Sequence, residues 1–456
     1  MTDLLVLGAG PAGAGAAYRA AAAGHDVVLV ERSPGPGGAA GSITVAGQRV
    51  DLGSHRLHES IRPPILAELR SLLGDELQLR ARRGRIRLAG RWVRFPLSPL
   101  DAARNLPAGF LARAARDAAA KPFRRVSEES FAGVLRAGLG PAICESFYFP
   151  YARKIWGVEP ERLSAEQARR RVGASSAARI VRKVAARKGS RFWYPDGGYG
   201  RISEALAGGA EAAGARVLYG RTVTRLATNG ERAVAHLDDG GEVAAARAWS
   251  TIPVTALARV VEPGPPPDVV AAASGLRFRS MVLVYLVVAA DRYTDYDAHY
   301  LPEEWTPVTR VSEPKNYRDG HDPAGQTVLC AEIPCDRGSA TWDMTDDALR
   351  DLVLAALDRA GLPAPRVAGT ASHRLPYAYP VYEVGFERML DPLHAWIDGL
   401  PRVLTFGRQG LFVHDNAHHA LAMAWDAVSC LEPGGGFNRA RWLEAKESWR
   451  SHVVED

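Results

Sequence analysis

The chain has 456 residues, and at roughly 100–200 residues per domain this length suggests two or three domains. Its composition, 47% hydrophobic and 24% charged, excludes a disordered or collagen-like chain despite 45 glycines and 30 prolines. The 57 lysines and arginines exceed the 51 aspartates and glutamates, and the net charge of +6 permits an anionic partner without requiring one.

The cysteines and the apolar runs indicate where in the cell the protein is expected. The four cysteines are scattered and form no C-x-x-C pair, which argues against a disulfide scaffold or a zinc ribbon. The first residues lead directly into an apolar segment without a secretory signal. The longest apolar run, Met281–Ala290, is about half as long as a bilayer span requires. We therefore expect a cytoplasmic protein without a transmembrane segment.

The N-terminus carries the clearest motif. The apolar run Leu4–Leu7 predicts a buried parallel strand, and an alanine-rich stretch to Ala23 predicts a helix. A second strand is predicted at Asp26–Val30, and it ends in Glu31. Between the first strand and the helix lies a G-x-G-x-x-G sequence made of Gly8, Ala9, Gly10, Pro11, Ala12 and Gly13.

Each part of this motif has a physical reason in a dinucleotide-binding βαβ unit. Gly8 would form the tight turn, Gly10 would let the backbone approach a pyrophosphate, and Gly13 would let the helix pack closely on the strand. The helix N-terminus presents free N–H groups to phosphates, and Glu31, about 20 residues on, can accept ribose hydroxyls. We predict a dinucleotide site; the alternative is an ordinary glycine-rich turn.

The residues after Glu31 discriminate between dinucleotides. Arg32 is followed by Gly37, Gly38 and Ala39, and an acid followed six residues later by a glycine doublet resembles the FAD-binding fingerprint of the glutathione-reductase and amine-oxidase superfamily. The alternative for this loop is a surface turn. No second G-x-G-x-x-G follows a predicted strand, so we expect no nicotinamide site.

Further segments extend this resemblance along the whole chain. They are the D-x-G-x-H-x-x-H stretch at Asp51–His58, the P-x-G-G turn within Tyr194–Arg201, Gly220–Arg225 and Leu404–Phe412. The chain resembles the flavin-containing amine oxidases and protoporphyrinogen oxidases, in the branch that shares features with UDP-galactopyranose mutase.

The resemblance implies a set of FAD contacts. The N-terminal ones are Gly8, Gly10, Pro11, Ala12, Gly13, Glu31, Arg32, Gly38 and Ala39. The others are Ser54, His55, Val223, Gly407, Arg408, Gly410, Leu411 and Phe412. The C-terminal group follows a short apolar strand and precedes an alanine-rich helix, an arrangement suited to a flavin carbonyl or a pyrophosphate. No cysteine lies in that loop, so non-covalent FAD is expected.

Glycine motifs at both ends of the chain imply that the termini meet in one discontinuous domain. We predict an α/β fold with a Rossmann-type, glutathione-reductase-2-like FAD-binding domain and an inserted α+β substrate domain. The FAD-binding domain would comprise residues 1–95, 190–265 and 395–456. The substrate domain would comprise a helical part, 96–189, and a sheet part, 266–394, with strands at Leu276–Ala290, Gln326–Ile333 and Val367–Leu375 and a helix at Asp346–Ala360.

Three residues are candidates for catalysis. His55 and His58 lie in the stretch that the family places near the flavin, and imidazole titrates near neutrality, as a proton acceptor must. Glu332 is a lone acid at the end of an apolar strand. The alternatives are that the histidines only bind backbone groups in a tight loop and that Glu332 faces a sheet edge.

Substrate contacts are predicted on the sheet part and at the C-terminal motif. The candidates are Arg56, Arg374, Tyr377, Tyr379, Tyr382, His414 and Asn416. Arg374 precedes an aromatic, proline-braced loop and could clamp an anion, although the tyrosines could equally be core residues. His414, His418 and His419 are close in sequence, and the pair four residues apart could present two metal ligands on a helix. No third ligand has convincing spacing, so no metal site is expected.

Two reactions remain open. The first is an FAD-dependent oxidase or dehydrogenase that removes hydride from a C–N, C–O or C–C centre of a small substrate, with molecular oxygen as a candidate acceptor. The alternative is a non-redox sugar-nucleotide mutase. The closing motif departs from the mutase pattern, because Phe412, His414 and Asn416 stand near positions where that family has tyrosine hydroxyls for a diphosphate.

The positive charge is concentrated in two segments. Arginines crowd residues 80–94, and between Ser164 and Arg191 the only acid is Glu166. The 164–191 segment could rest on an anionic membrane surface or guide an anionic substrate; the alternative is a solvated basic face. No nucleic-acid-binding motif accompanies the charge, so no nucleic acid partner is expected.

Overall fold

A computed structural model describes residues 2–124, 129–172, 191–432 and 436–454. The strands, in chain order, are Thr2–Leu7 (β1), Val27–Glu31 (β2), Ser42–Val45 (β3), Gln48–Asp51 (β4), Leu57–His58 (β5), Leu77–Ala81 (β6), Gly84–Leu88 (β7), Arg91–Phe95 (β8), Arg191–Pro195 (β9), Arg216–Tyr219 (β10), Val223–Thr228 (β11), Ala233–Leu237 (β12), Glu242–Ser250 (β13), Val261–Glu262 (β14), Phe278–Val288 (β15), Ala298–Tyr300 (β16), Arg310–Ser312 (β17), Thr327–Cys335 (β18), Val367–Pro380 (β19) and Val403–Thr405 (β20). The α-helices are Pro11–Ala22 (α1), Pro63–Leu73 (α2), Pro99–Asn105 (α3), Ala108–Ala119 (α4), Phe131–Leu139 (α5), Pro141–Ile143 (α6), Phe149–Trp156 (α7), Ala165–Val172 (α8), Arg201–Ala212 (α9), Val254–Val260 (α10), Pro267–Ser274 (α11), Asp346–Arg359 (α12), Glu387–Gly399 (α13), Gly407–Gly410 (α14), Ala417–Val428 (α15) and Arg439–Trp449 (α16).

The first sheet is built around the strands predicted at the N-terminus. β1 lies between β2 and β13, and β10, β2, β1, β13 and β20 run parallel to one another. Burial on both faces explains why β1 and β2 are almost wholly apolar. The alanine-rich helices α1 and α15 pack together on one face, because short side chains allow a close approach. These features confirm the predicted Rossmann-type α/β fold.

Glycine is required where β1 passes into α1. Gly8 has a φ of +94°, a backbone conformation that residues other than glycine rarely adopt. A Cβ added to Gly13 would lie 1.8 Å from the carbonyl oxygen of Gly8. The helix can therefore pack this closely on the strand only because Gly13 has no side chain.

The second sheet contains the strands predicted in the substrate domain. Its order is β19-β15-β18-β17-β16-β7-β8, and α12 packs on one face. β19 runs further than predicted, so Tyr377 and Tyr379 lie in a strand and not in a loop. The pairing of β15 with β19 shifts between Arg279 and Met281. Pro376, which has no amide hydrogen to donate, lies within this irregularity.

The arginine-rich hairpin of β7 and β8 belongs to the second sheet, although its residues fall within the 1–95 piece assigned above to the FAD-binding domain. β7 pairs in parallel with β16, and the carboxylate of Asp297 accepts the backbone N–H of Arg83 at 2.8 Å. This pairing is between segments more than 200 residues apart, which no local pattern encodes. We therefore propose that the first domain boundary lies before β7.

The helical part of the inserted region, α3 to α8, packs around two apolar clusters. The basic segment predicted at 164–191 begins on α8, but residues 173–190 lie outside the described residues. Among the helices that the structure describes, none combines the length and apolarity needed to cross a bilayer.

Replacing Gly13 with alanine tests the contact between β1 and α1. The new Cβ would overlap the Gly8 carbonyl, and such overpacking costs roughly 1–3 kcal/mol or more. Gly208→Ala is the matched control, because this exposed helical position has no atom within 4 Å of the added Cβ and alanine should stabilise it by roughly 0.5–1 kcal/mol. Circular dichroism should show a lower thermal midpoint for Gly13→Ala only. An unchanged midpoint in Gly13→Ala would contradict the packing.

Candidate functional site

A cavity of about 1390 Å³ lies at the carboxyl ends of β1, β2 and β13. It continues from the glycine loops to the face of the second sheet, where Arg310 and Glu332 line it. Parallel sheets bind ligands at the carboxyl ends of their strands. Because most ligand pockets measure about 300–1,000 Å³, this cavity has room for a dinucleotide and a substrate together.

Two glycine loops meet at the first end of the cavity. A Cβ added to Gly38 would lie 3.3 Å from the Cα of Gly10, and the backbone N–H of Gly37 donates to the Ala9 carbonyl at 2.8 Å. Pro11 begins α1, so no amide hydrogen is lost at its first position. A pyrophosphate can approach this backbone because the glycines leave no side chains in the way. The loops therefore fit the diphosphate of a dinucleotide cofactor.

The acid at the end of β2 is held firmly. The Glu31 carboxylate accepts the backbone N–H of Ala9 at 2.7 Å and that of Ser33 at 2.8 Å, and it lines the cavity. Its position beside the glycine loop is the one expected of a carboxylate that accepts ribose hydroxyls.

The structure brings most of the predicted cofactor residues to the cavity. Those that line it are Gly8, Gly10, Pro11, Ala12, Glu31, Arg32, Gly38, Ala39, Ser54, His55, Val223 and Arg408. Others lie behind its wall, namely Gly13, Gly407, Gly410, Leu411 and Phe412. Their backbone and packing shape the wall; for example, Phe412 is fully buried against Phe278.

A buried carboxylate, Asp51, fixes the loop that carries the predicted histidines. Its Oδ1 accepts the Ser42 hydroxyl at 2.7 Å and the Tyr199 backbone N–H at 2.8 Å, and its Oδ2 accepts the Tyr194 hydroxyl at 2.6 Å. Its backbone carbonyl accepts the Tyr285 hydroxyl from the second sheet at 2.9 Å. Sequence reasoning did not assign these contacts, because the donors come from distant segments.

His55 lines the cavity and is held in one orientation. Its Nε2 lies 3.0 Å from the Leu52 carbonyl oxygen, and its ring stacks on Tyr199 at 5.4 Å between centroids. A carbonyl can only accept, so Nε2 donates and Nδ1 keeps its lone pair. Burial lowers the pKa of His55, although the Asp51 carboxylate opposes this effect. The neutral imidazole is therefore the resting form. His58 also lines the cavity, and its Nδ1 lies 2.7 Å from the Ser60 hydroxyl.

Glu332 lines the cavity but is bound by an arginine that sequence reasoning missed. Nη2 of Arg310 lies 2.7 Å and 2.8 Å from its two carboxylate oxygens, and Oε1 also accepts the Ser54 backbone N–H at 2.8 Å. Burial by itself would lower the pKa of Arg310, but the Glu332 carboxylate and the neighbouring tyrosines together raise it. This pairing favours an electrostatic role for Glu332 over proton transfer. An arginine opening the short buried strand β17 was the available signal.

The two arginines predicted as substrate contacts are bound to the protein itself. Arg56 donates to the Asp297 carboxylate at 3.0 Å. Arg374 donates to the backbone carbonyls of Trp342 and Met344, each at 2.7 Å. Both side chains line the cavity, but their guanidinium groups have most of their hydrogen-bonding capacity filled.

The remaining predicted substrate residues divide into two groups. Tyr377, Tyr379 and Asn416 line the cavity. Tyr382 and His414 are buried behind its wall, and the Tyr382 hydroxyl donates to the Phe412 carbonyl at 2.7 Å. Desolvation by burial, with nearby arginines, holds the pKa of His414 well below its usual value.

One group of side chains among the described residues has the composition of a metal site. It consists of Asp415, His419 and His452, whose ligand atoms lie within 4.8 Å of one another. The two imidazole rings are stacked, with centroids 4.2 Å apart and planes at 13°. A zinc ion lies in the ring plane about 2.0 Å from nitrogen, so two parallel stacked rings cannot both bind one ion. In this arrangement the three residues do not form a metal site, and the absence of a metal in the protein stays a prediction.

Known proteins share this architecture and this sequence pattern. The sequence profile of a family described as flavin containing amine oxidoreductase matches residues 12–419, which is most of the chain. The chain belongs to the flavin-containing amine oxidoreductase family. This membership confirms the predicted family and makes the protein a flavin-dependent oxidoreductase. No curated protein sequence matches this family member.

Solved structures of low sequence identity share the fold. A reduced UDP-galactopyranose mutase has a TM-score of 0.79 and 21% identity, over 94% of this chain and 93% of the mutase. A protoporphyrinogen oxidase-like protein from Exiguobacterium sp. 255-15 has a TM-score of 0.71 and 17% identity, over 94% and 98% of the two chains. Cyclohexylamine oxidase from Brevibacterium oxydans IH-35A has a TM-score of 0.65 and 16% identity, over 98% and 99%.

The Arg310–Glu332 pair predicts a coupled stability effect. The two side chains are 14% and 3% exposed, so Arg310→Met leaves a buried carboxylate without a counter-charge and should destabilise the protein by about 3–5 kcal/mol. Adding Glu332→Gln removes that charge, so the double variant should recover most of the loss in thermal midpoint. Equal midpoints for the single and double variants would show that the two charges are not coupled.

Proposed function

We propose that the protein is an FAD-dependent oxidase or dehydrogenase that removes hydride from a C–N, C–O or C–C centre of a small, anionic substrate. One observation supports this proposal above the others. A single cavity joins the dinucleotide loops to a neutral, oriented imidazole at His55 and to the second sheet. Cofactor and substrate could therefore meet in one enclosed space, as hydride transfer requires.

FAD is the flavin that best fits the first end of this cavity. The paired glycine loops suit a pyrophosphate, and Glu31 suits the ribose of the adenosine half. The flavin, when bound, supplies the hydride-accepting N5 position. Each of the four cysteines is buried and free, and none lies in the Gly407–Gly410 wall, which supports non-covalent binding.

His55 is the residue that we propose accepts the substrate proton. Nε2 is occupied by the Leu52 carbonyl, so Nδ1 has the lone pair that a base needs. The hydrogen bond and the stacking on Tyr199 hold the ring in place. Glu332, bound by Arg310, would act through the electrostatic effect of its negative charge and not by proton transfer. We retain His58 as the second candidate base.

The electrostatics of the lining support an anionic substrate. Four carboxylates line the cavity, namely Glu31, Glu204, Glu332 and Asp415. Eleven arginines line it, namely Arg32, Arg49, Arg56, Arg82, Arg171, Arg191, Arg221, Arg259, Arg310, Arg374 and Arg408. Three of these arginines, Arg56, Arg191 and Arg221, pair with carboxylates outside the lining, and the diphosphate of FAD would neutralise only part of the positive charge that is left. A positive cavity concentrates anions and speeds their entry.

The sugar-nucleotide mutase remains the second candidate, because the same arginine excess would also suit a diphosphate substrate. Phe412 and His414 lie behind the cavity wall, and neither side chain offers a hydroxyl for such a diphosphate. This arrangement favours the oxidoreductase. A mutase would need reduced flavin for turnover and would leave it reduced.

We also propose a cytoplasmic location, supported by the unpaired cysteines. Molecular oxygen is our proposed electron acceptor. Peripheral membrane contact through the basic segment would depend mainly on residues 173–190, which lie outside the described residues.

The visible spectrum of the purified protein tests the cofactor and the reaction. We expect a yellow protein that releases FAD on denaturation. Anaerobic titration with anionic amines, hydroxy compounds and porphyrinogens should bleach the flavin with one of them, and air should restore the colour. A protein that takes up no FAD would contradict the cofactor proposal, and turnover only with pre-reduced flavin would favour the mutase.

The role of His55 can be separated from that of His58 with two asparagine variants. Asparagine can still donate a hydrogen bond but does not accept a proton near neutrality. We expect His55→Asn to slow anaerobic flavin reduction by about 100-fold or more, with little effect from His58→Asn. Slow flavin reduction in His58→Asn together with fast flavin reduction in His55→Asn would reassign the base.

The pH dependence of the unchanged protein is a second test of His55. The base must be neutral to accept a proton, and burial lowers the pKa of His55 from its ordinary value of about 6.5. The rate of anaerobic flavin reduction should therefore fall only on the acid side of about pH 6.5.

A further inference from the structure

The arginines that line the cavity are of two kinds. Several are neutralised by carboxylates, as in the pairs Arg49–Glu204, Arg56–Asp297 and Arg310–Glu332. The remaining six form no ion pair with a carboxylate in the described ranges, namely Arg32, Arg82, Arg171, Arg259, Arg374 and Arg408. Two of these six, Arg171 and Arg408, lie against the same aromatic side chain.

Arg171 and Arg408 converge on one aromatic ring. The guanidinium carbon of each lies 5.3 Å from the centroid of Tyr379. That of Arg171 also lies 5.9 Å from the ring of Trp156. All four side chains line the cavity. Two cations brought to one aromatic wall repel each other unless an anion lies between or beside them.

The environment of Arg408 indicates an incomplete site. Its Nη2 donates to the Ala378 carbonyl at 2.8 Å, but its Nε is buried and has no hydrogen-bond partner among the described residues. Burial lowers the pKa of Arg408, and the nearby charge of Arg171 lowers it further. A buried cation without a counter-charge costs stability, so the site gains when an anion is bound.

The protein's own acids do not fill this role within the described residues. Oδ2 of the nearby Asp415 accepts a hydrogen bond from Nδ1 of His452 at 3.0 Å, and its Oδ1 lies 3.6 Å from Nδ1 of His419. Asp415 forms no ion pair with Arg171 or Arg408. The segment 173–190, which follows Arg171 in sequence, contains no aspartate or glutamate. Glu455 and Asp456 follow Val454, which lines the cavity, and the experiment below therefore includes them.

We propose that Arg171 and Arg408 form a subsite that binds the carboxylate or phosphate group of the substrate against Tyr379 and Trp156. The sequence placed Arg408 among the cofactor contacts, and its position beside Arg171 on Tyr379 is the reason for assigning it to the substrate instead. This inference rests on the proposed function, because it takes the ligand of the cavity to be the substrate of the flavin reaction. The aromatic faces would hold the part of the substrate next to the anion. The subsite selects substrates that carry a negative charge away from the oxidised carbon.

Anion binding to the FAD-loaded protein tests the subsite. Inorganic phosphate and acetate are the probes, titrated at constant ionic strength and followed by calorimetry and by the absorption of the bound flavin. We expect Arg171→Gln to weaken the tighter-binding probe by about tenfold or more, and Arg171→Lys to weaken it less. Tighter binding of phosphate would indicate a phosphorylated substrate, and tighter binding of acetate a carboxylate substrate.

Arg169→Gln is the matched control. It removes the same charge from the same helix, but Arg169 is 50% exposed and lies next to Glu166, outside the cavity lining. Its affinity for the probes should stay within about twofold of the unchanged protein, since an exposed pair contributes little. Equal weakening in Arg169→Gln and Arg171→Gln, or no probe binding in the unchanged protein, would overturn the subsite.

A double variant, Glu455→Gln with Asp456→Asn, tests whether the chain's own acids occupy the arginines. Probe affinity should be unchanged in this variant. Binding that arises only after these charges are removed would overturn the proposal. Calorimetry requires no flavin reduction, so a protein that binds the probes through Arg171 but oxidises no substrate would contradict the proposed function and leave the anion site intact.

Discussion

The buried Asp51 carboxylate is the constraint on which the site depends. A carboxylate removed from water must be satisfied by donors, or the fold loses several kcal/mol. Its donors come from β3, from β9 and from the turn between β9 and α9, while its own carbonyl accepts Tyr285 of the second sheet. The loop that follows Asp51 is therefore fixed to the β3–β4 hairpin, to β9 and to the second sheet, and it carries His55 into the cavity.

The same loop is secured a second time by charge. Ser54 donates its backbone N–H to Glu332, which Arg310 neutralises, and Arg56 is paired with Asp297. These arginines hold the architecture, since each has a carboxylate partner in a place of low solvent exposure. Arg171 and Arg408 face carbonyls and aromatic rings instead. These two arginines lack the counter-charge that holds Arg56 and Arg310 in place.

Local patterns were enough to predict the first βαβ unit, the strands of the second sheet and the helix α12. Apolar runs and glycine spacing act within a few residues, and the structure keeps them with small shifts at the ends. Patterns of this kind did not place β7 and β8 in the second sheet, because β7 pairs with β16 far along the chain. They also did not show that β19 continues through Tyr377 and Tyr379.

The sequence alone determined the family, the fold class and the dinucleotide loop, because glycine at Gly8 and Gly13 is a steric requirement of one local geometry. Tertiary structure decided what each polar side chain does. Arg56, Arg374 and Glu332 have partners from other elements, Tyr382 and His414 are buried, and Arg171 meets Arg408 at the cavity. Partnership and burial arise only when distant segments pack, so no local pattern could specify them.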